Sequence, residues 1–228
     1  MLRKLGDSMN NISPSVLSLM IGSIESRKKD NGNEFKTAIQ KKPIKQCKLT
    51  KEGILGDEQA DKKHHGGIDK AILMFSDKSY TKINKHFNSK LSYENNSAFG
   101  ENIVVSHLNE ENVYIGSRFK IGQTLVEIAQ PREPCWKLSE NTNNKKMLKF
   151  IIDSGLTGWY CRVIEEGTIK QGNQLELIYT PSLKLSVMNL NHLLHSKLLI
   201  DDPSLKSAIE FEQLGNAFKK ALVKKLNN

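Results

Sequence analysis

The chain has 228 residues, enough to bury a core of ordinary size, and its three cysteines show no CxxC spacing. These features exclude a disulfide scaffold and a cysteine-rich zinc site, and they favour a reducing, cytosolic setting. The net charge of +9 favours an anionic partner, but the lysines are spread along the chain without a nucleic-acid-binding signature, so the sequence argues against nucleic-acid binding.

The first part of the chain is a polar leader over residues 1–15, followed by short apolar runs up to residue 181. Val16–Ile21 is far too short to span a bilayer, so we interpret it as a buried strand and expect no membrane segment. Further short runs alternate with Gly, Pro, Asn and Asp, which is typical of a β-rich domain. The predicted strands are 71–75, 103–105, 113–115, a hairpin of 118–121 with 124–129, and a second hairpin of 167–171 with 175–178.

Because closure removes exposed strand edges, these short strands predict a closed β-barrel over residues 16–181. Helices are predicted at 77–87 and around 145–153. The fold class is therefore mainly β with α.

After residue 181 the apolar spacing changes from two to nearly four, which indicates helices. The first apolar face lies behind a Ser186 cap, and Asp202-Pro203 predicts the start of a middle helix. The two apolar stripes are Val187, Leu190, Leu194 and Leu198, then Phe211, Leu214, Phe218, Leu222 and Leu226. The sequence thus predicts a small three-helix domain over 182–228 that packs on the barrel or on a second subunit, so a homodimer is one expectation.

Cys135 lies in a loop directly after the alternating stretch 124–129, in Gln130-Pro131-Arg132-Glu133-Pro134-Cys135-Trp136-Lys137-Leu138. The two prolines lack the N–H that a central strand must donate, so the ladder ends and an irregular loop carries the sulfur. Arg132 adds a permanent positive charge that favours the thiolate, the form that attacks and binds metals. A lone cysteine is more often inert packing, so the thiol is a candidate that needs support from elsewhere.

A second candidate segment is Gly56-Asp57-Glu58-Gln59-Ala60-Asp61-Lys62-Lys63-His64-His65-Gly66-Gly67-Ile68-Asp69-Lys70. Gly66-Gly67 lets the backbone take positive φ and approach a ligand, and successive N–H groups there can bind an anion. His64 or His65 is suited to proton transfer near neutral pH, with Asp57 or Asp69 orienting the imidazole. Two alternatives stay open: a polar surface loop, and a zinc site, although adjacent histidines lack the i, i+4 spacing of a helical metal pair.

Two shorter motifs complete the set, Phe99-Gly100-Glu101-Asn102 and Gly158-Trp159-Tyr160. With all four motifs in this order, the chain resembles the bacterial YiiM-like proteins of the MOSC family, domains named for the C-terminal part of molybdenum cofactor sulfurase. The resemblance extends from about Val16 to the end, and the tail is similar to the three-helix domain that follows the barrel in that family. One departure is Ile68, where the related motif commonly has proline.

The resemblance implies a barrel that binds the molybdenum–pyranopterin cofactor, with Cys135 as the ligand to molybdenum. Members similar to this chain are linked to detoxification of N-hydroxylated compounds such as 6-hydroxylaminopurine, which they reduce to amines with electrons from a partner reductase. The implied catalytic residues are Cys135, His65 and Asp57, with His65 and Asp57 delivering a proton as the N–O bond breaks. The implied cofactor-binding residues are Gly66, Gly67, His64, Asp69, Lys70, Asn102 and Arg132, with Lys62 and Lys63 as further candidates for the phosphate.

A rival hypothesis from another class is a non-catalytic carrier or storage module for the cofactor or its sulfurated form. It predicts bound cofactor without turnover. A third hypothesis, a basic nucleic-acid-binding protein, predicts salt-sensitive retention on DNA, and the absence of a basic-aromatic cluster argues against it.

Overall fold

The structure is a computed structural model that describes residues 13–29, 31–61, 66–195 and 203–227. Its strands are β1 (Val16–Ile21), β2 (Glu25–Lys28), β3 (Glu34–Thr37), β4 (Lys42–Ile44), β5 (Gln46–Thr50), β6 (Gly53–Ile54), β7 (Ile72–Ser76), β8 (Ile103–Val105), β9 (Arg118–Ile121), β10 (Thr124–Pro131), β11 (Trp159–Glu165), β12 (Gly167–Lys170) and β13 (Leu175–Tyr179). Its helices are α1 (Asp77–Phe87), α2 (Lys137–Asn141), α3 (Met147–Ser154), α4 (Val187–His195), α5 (Pro203–Glu210) and α6 (Asn216–Leu226), with a 3-10 turn at Ile68–Lys70.

The centre of the fold is an eight-stranded sheet with the order β13-β9-β10-β11-β7-β8-β1-β4. Its neighbouring strands are antiparallel except β7 and β8, which are parallel. A three-stranded sheet, β12-β5-β6, and a two-stranded hairpin, β2-β3, lie beside it.

The predicted mixture of strands and helices is confirmed, but the prediction of a closed barrel is wrong, because the described strands do not close. The outer strands β13 and β4 of the large sheet do not pair with each other. The start of β13 is covered instead by an isolated bridge from Ser15 to Gln174, and Pro43 in β4 lacks an N–H, which suits an edge strand. The exposed edges of the large sheet are thus protected without closure into a barrel.

Several predicted elements are confirmed, among them the strand Val16–Ile21 and the helix Asp77–Phe87, while the second predicted helix runs from Met147 to Ser154. The predicted strand 113–115 is wrong, since Tyr114 makes only an isolated bridge to Ser186. The second predicted hairpin is also wrong, because β12 pairs with β5 and β13 pairs with β9. A glycine turn between two strands is compatible with pairing of the two strands and also with each strand pairing elsewhere.

The C-terminal helices share the core of the large sheet. Phe218 and Leu222 of α6 are fully buried in the same apolar cluster as the strand residues. Ser186 caps α4 as predicted, its Oγ accepting a hydrogen bond from Asn189 N at 3.0 Å. The predicted positions Leu198 and Asp202 lie outside the described residues, and within the described ranges no helix is long and apolar enough to cross a membrane.

Candidate functional site

One cleft collects side chains from several separate parts of the chain. The loop after β6, the loop before β8, the loop after β10 and the segment after β3 all contribute to its walls. Five of the predicted site residues line this cleft together, namely Asp57, Lys70, Asn102, Arg132 and Cys135. The motifs that are far apart in sequence therefore meet at one place, where Lys41, Gly100, Lys137 and Tyr160 join them.

Arg132 is the most unusual group in the cleft. Its side chain is buried, with the residue only 4% exposed, and its Nη2 makes a long contact of 3.5 Å with the Phe99 carbonyl oxygen. Its Nε and Nη1 have no hydrogen-bond partner among the residues that the structure describes. A buried cation with unused donors is costly, so this geometry is suited to an anionic ligand.

Tyr160 of β11 lies beside this guanidinium. Burial raises the pKa of the Tyr160 phenol, and the positive charge of Arg132 opposes that rise. Tyr160 therefore stays a neutral hydrogen-bonding group at neutral pH and lines the cleft next to Cys135.

Cys135 is half-buried in the loop between β10 and α2, and it faces the cleft. The other two cysteines are buried elsewhere. Burial, together with the charge of Asp57, raises the pKa of Cys47 to about 11, and burial raises the pKa of Cys161 still further. Of the three thiols, Cys135 is thus the one placed to act as a ligand or nucleophile in this cleft.

Asp57 and Asn102 form the support of the cleft. Lys41 Nζ donates to both carboxylate oxygens of Asp57 at 2.5 and 2.6 Å, and Gly22 N donates to Oδ1 at 2.8 Å. Asn102 Nδ2 donates to Oδ2 of Asp57 at 2.9 Å, while its own Oδ1 accepts from Leu73 N at 3.1 Å. Both oxygens of Asp57 are therefore committed within the protein, and the pair ties the 56–61 loop to strands β1 and β7.

Glu101 is a functional candidate that the sequence motif contained but did not single out. It is fully buried, accepts a hydrogen bond from the Tyr80 hydroxyl, and accepts another from Phe99 N at 2.9 Å. Burial raises the pKa of Glu101 to about 7, although Tyr80 and Arg132 oppose the rise. Phe99 links the two charged groups, because its N–H contacts Glu101 and its carbonyl contacts Arg132.

The remaining predicted site residues lie elsewhere. Gly66 and Gly67 line a neighbouring depression, where Gly67 takes the predicted positive φ of 99°. Asp69 contacts Arg162 of β11, with Oδ1 2.6 Å from Arg162 Nε, and its Oδ2 accepts a hydrogen bond from Asn216 N at the start of α6. The two histidines and two lysines of the same motif, His64, His65, Lys62 and Lys63, lie outside the described residues.

Comparison with known proteins gives the family. A model of the MOSC domain matches residues 61–176, about half of the chain. The chain belongs to the MOSC domain family. Its YiiM-like character is supported by the crystal structure of YiiM from Geobacillus stearothermophilus, which is similar at a TM-score of 0.76 and 25% identity, over 93% of this chain and 99% of that one.

Two proteins are similar in sequence to this MOSC protein over most of its length. It is 39% identical over 180 residues to the Bacillus subtilis "Uncharacterized protein YflK", covering 78% of this chain and 80% of that protein. It is 33% identical over 171 residues to a protein of Gibberella moniliformis named "Reductase", covering 73% of this chain. The match spans only 30% of that fungal protein, so the activity of the whole fungal protein is not carried over by similarity alone.

Proposed function

We propose that this MOSC protein is a molybdenum-cofactor-dependent reductase that converts N-hydroxylated bases or hydroxylamines to amines. The observation that carries the proposal is the presence in one cleft of a half-buried thiol, Cys135, and a buried guanidinium, Arg132, two of whose donors bind none of the described residues. A soft thiolate suits molybdenum, and a guanidinium with donors still available suits a phosphate group. Family membership and the name of the fungal relative both support this reading.

The donor set of the cleft fits such a cofactor. Cys135 would hold the metal, while Arg132 and Lys70 would hold the anionic phosphate. The cofactor, when bound, supplies two-electron chemistry that the side chains of this protein lack. Gly100 adopts a φ of +83°, and a Cβ there would lie 3.1 Å from Ile39 Cγ1, so a glycine keeps this wall of the cleft in shape.

The overall reaction consumes two electrons and two protons, breaks the N–O bond, and releases an amine and water. In this proposal the electrons come from a partner reductase protein, and His65 donates a proton to the departing oxygen. Asp57 positions the 56–61 loop that carries it, since its carboxylate is held by Lys41, Gly22 and Asn102. The small-molecule substrate would bind in the cleft that Cys135 and Tyr160 line.

The test begins with protein made in a host that synthesises the cofactor and in one that does not. Elemental analysis for molybdenum and tungsten, with fluorescence of oxidised pterin, should find the cofactor only in the first sample. Reduced methyl viologen as donor and 6-hydroxylaminopurine as substrate should then yield the amine. Cys135→Ser should lose most of the metal and the turnover, whereas Cys47→Ser should keep the metal.

The outcomes separate the two function classes. Bound cofactor without amine formation would favour the carrier or storage hypothesis over the reductase. Absence of both metal and pterin from protein made in the competent host would overturn both.

A further inference from the structure

The C-terminal helices contact the turn beside the cleft through Asp69. Asp69 Oδ2 accepts a hydrogen bond from Asn216 N at 3.0 Å, across 147 residues of sequence. Asn216 is the first residue of α6, and Gly215 before it has no side chain that could cap the helix. Asp69 therefore supplies the N-cap acceptor and a negative charge at the N-terminus of α6.

Arg162 completes this connection from the large sheet. Its Nε lies 2.6 Å from Asp69 Oδ1, and its Nη1 donates to Glu127 Oε1 and to Gln213 O, both at 2.8 Å. Glu127 on β10 is directly opposite Arg162 on β11. The side chains of Asp69 and Arg162 are each only 17% exposed, so solvent screens this pair less than an ordinary surface pair.

The same turn carries a cleft residue. Lys70 follows Asp69 directly, lines the cleft, and places its Nζ 5.8 Å from the ring centroid of Tyr160. Lys70 N also donates to Gly67 O at 2.9 Å, which joins the turn to the diglycine pair. A shift of Asp69 would move Lys70, because the two residues share one short 3-10 turn.

We propose that Asp69 is a positioning residue through which the C-terminal helices hold the Ile68–Lys70 turn, and with it Lys70, against the cleft. This role takes the place of a direct cofactor contact, since both oxygens of Asp69 are engaged within the protein. The inference rests on the proposed function only for the nature of the ligand, an anionic cofactor. By reciprocity, a ligand bound at Lys70 would also stabilise the docking of α6.

The first experiment uses cofactor-free protein and needs no activity. Asp69→Asn should speed amide hydrogen exchange in two segments, 67–71 and 216–219, by roughly tenfold or more relative to the unchanged protein. Arg118→Gln is the matched control, because Arg118 Nε pairs with Glu127 Oε2 at 2.8 Å at the outer end of the same network without touching Asp69. The control should leave both segments unchanged.

Arg162→Lys gives a second, milder variant, which keeps a charge near Asp69 and loses the branched contacts to Glu127 and Gln213. It should place the exchange rates of both segments between those of Asp69→Asn and the unchanged protein. Faster exchange at 216–219 with no change at 67–71, in either variant, would overturn the inference.

The second experiment measures cofactor content after expression in a host that makes the cofactor. Asp69→Asn should retain several-fold less molybdenum and pterin per folded chain, whereas Arg118→Gln should retain the normal amount. Equal retention in the two variants would overturn the link between the turn and the ligand. If only the proposed function fails, the outcome is different. Hydrogen exchange in both segments would still depend on Asp69, but the unchanged protein would contain no cofactor even from the competent host.

Discussion

Lys41 and Asp57 form a buried ion pair in the wall of the cleft, with Lys41 Nζ 2.5 Å from Asp57 Oδ1 and side chains that are only 6% and 5% exposed. A pair removed from water in this way is retained only when its hydrogen bonds are satisfied. Here the carboxylate also accepts from Gly22 N and from Asn102 Nδ2. The pair therefore fixes the loop that carries Asp57 before any ligand is bound.

Removing one partner of this pair should destabilise the fold. Asp57→Ala leaves the Lys41 ammonium buried without a counterion, so the free energy of unfolding should fall by about 3 kcal/mol. Urea denaturation at neutral pH measures this change. Lys149→Ala is the control, because Lys149 and Asp153 form an exposed pair whose loss should not alter the midpoint measurably. Equal midpoints for the two variants would contradict a supporting role for the Lys41–Asp57 pair.

The sequence predicted the cleft better than it predicted its support. Arg132 and Cys135 belong to a local motif that ends a strand, so their proximity follows from neighbouring positions alone. Lys41 belongs to no motif, and its contact with Asp57 depends on tertiary placement of the segment between β3 and β4. For the same reason the sequence does not predict the partners of Asp69, since Arg162 and Asn216 contact it from distant parts of the chain.

The error about the barrel has a similar origin. Alternating short runs fix which residues are strands, but they do not fix which strands are neighbours. The choice of β5 as the partner of β12 depends on contacts between residues more than 100 positions apart, such as Gly167 with Leu49. Such pairing is decided by packing of the whole core and leaves no local signal.

Arg132 should show opposite effects on stability and on ligand binding. Arg132→Met removes a buried charge whose Nε and Nη1 have no hydrogen-bond partner in the described part of the chain, so cofactor-free protein should gain about 1 kcal/mol or more in unfolding free energy. Under the proposed function, the same variant should lose most of the molybdenum cofactor that the unchanged protein binds. Urea denaturation of the cofactor-free protein and metal analysis of the loaded protein measure the two effects. A loss of stability combined with normal metal content would show that Arg132 serves the fold instead of the ligand.

Glu101 should make stability depend on pH. Burial raises its pKa from an ordinary 4.5 to about 7, so the folded state holds a proton that the unfolded chain releases between these values. The free energy of unfolding should therefore fall as pH rises through this window, by on the order of 3 kcal/mol at most. Burial also raises the pKa of Glu110 and of Glu133. The informative quantity is thus the difference between unchanged protein and Glu101→Gln, measured by urea denaturation at several pH values.

That difference has a definite sign. Glu101→Gln cannot release a proton, so its stability should decline less between pH 4.5 and 7 than that of the unchanged protein. Parallel pH profiles for the two proteins would show that folding does not raise the pKa of Glu101.

Cys135 should react faster with alkylating reagents than the two buried cysteines, Cys47 and Cys161. Cys135 is half-buried and faces the cleft, whereas burial raises the pKa of Cys47 to about 11 and leaves almost none of its reactive thiolate at pH 8. Iodoacetamide should therefore modify Cys135 first in the native protein, as measured by peptide mass spectrometry, and all three thiols in urea. Cys135→Ser should abolish this early modification. Under the proposed function, loading with the molybdenum cofactor should slow the modification of Cys135, because a sulfur bound to the metal would not be free to attack. If Cys135 is still modified rapidly when every chain carries molybdenum, this thiol is not the ligand to the metal.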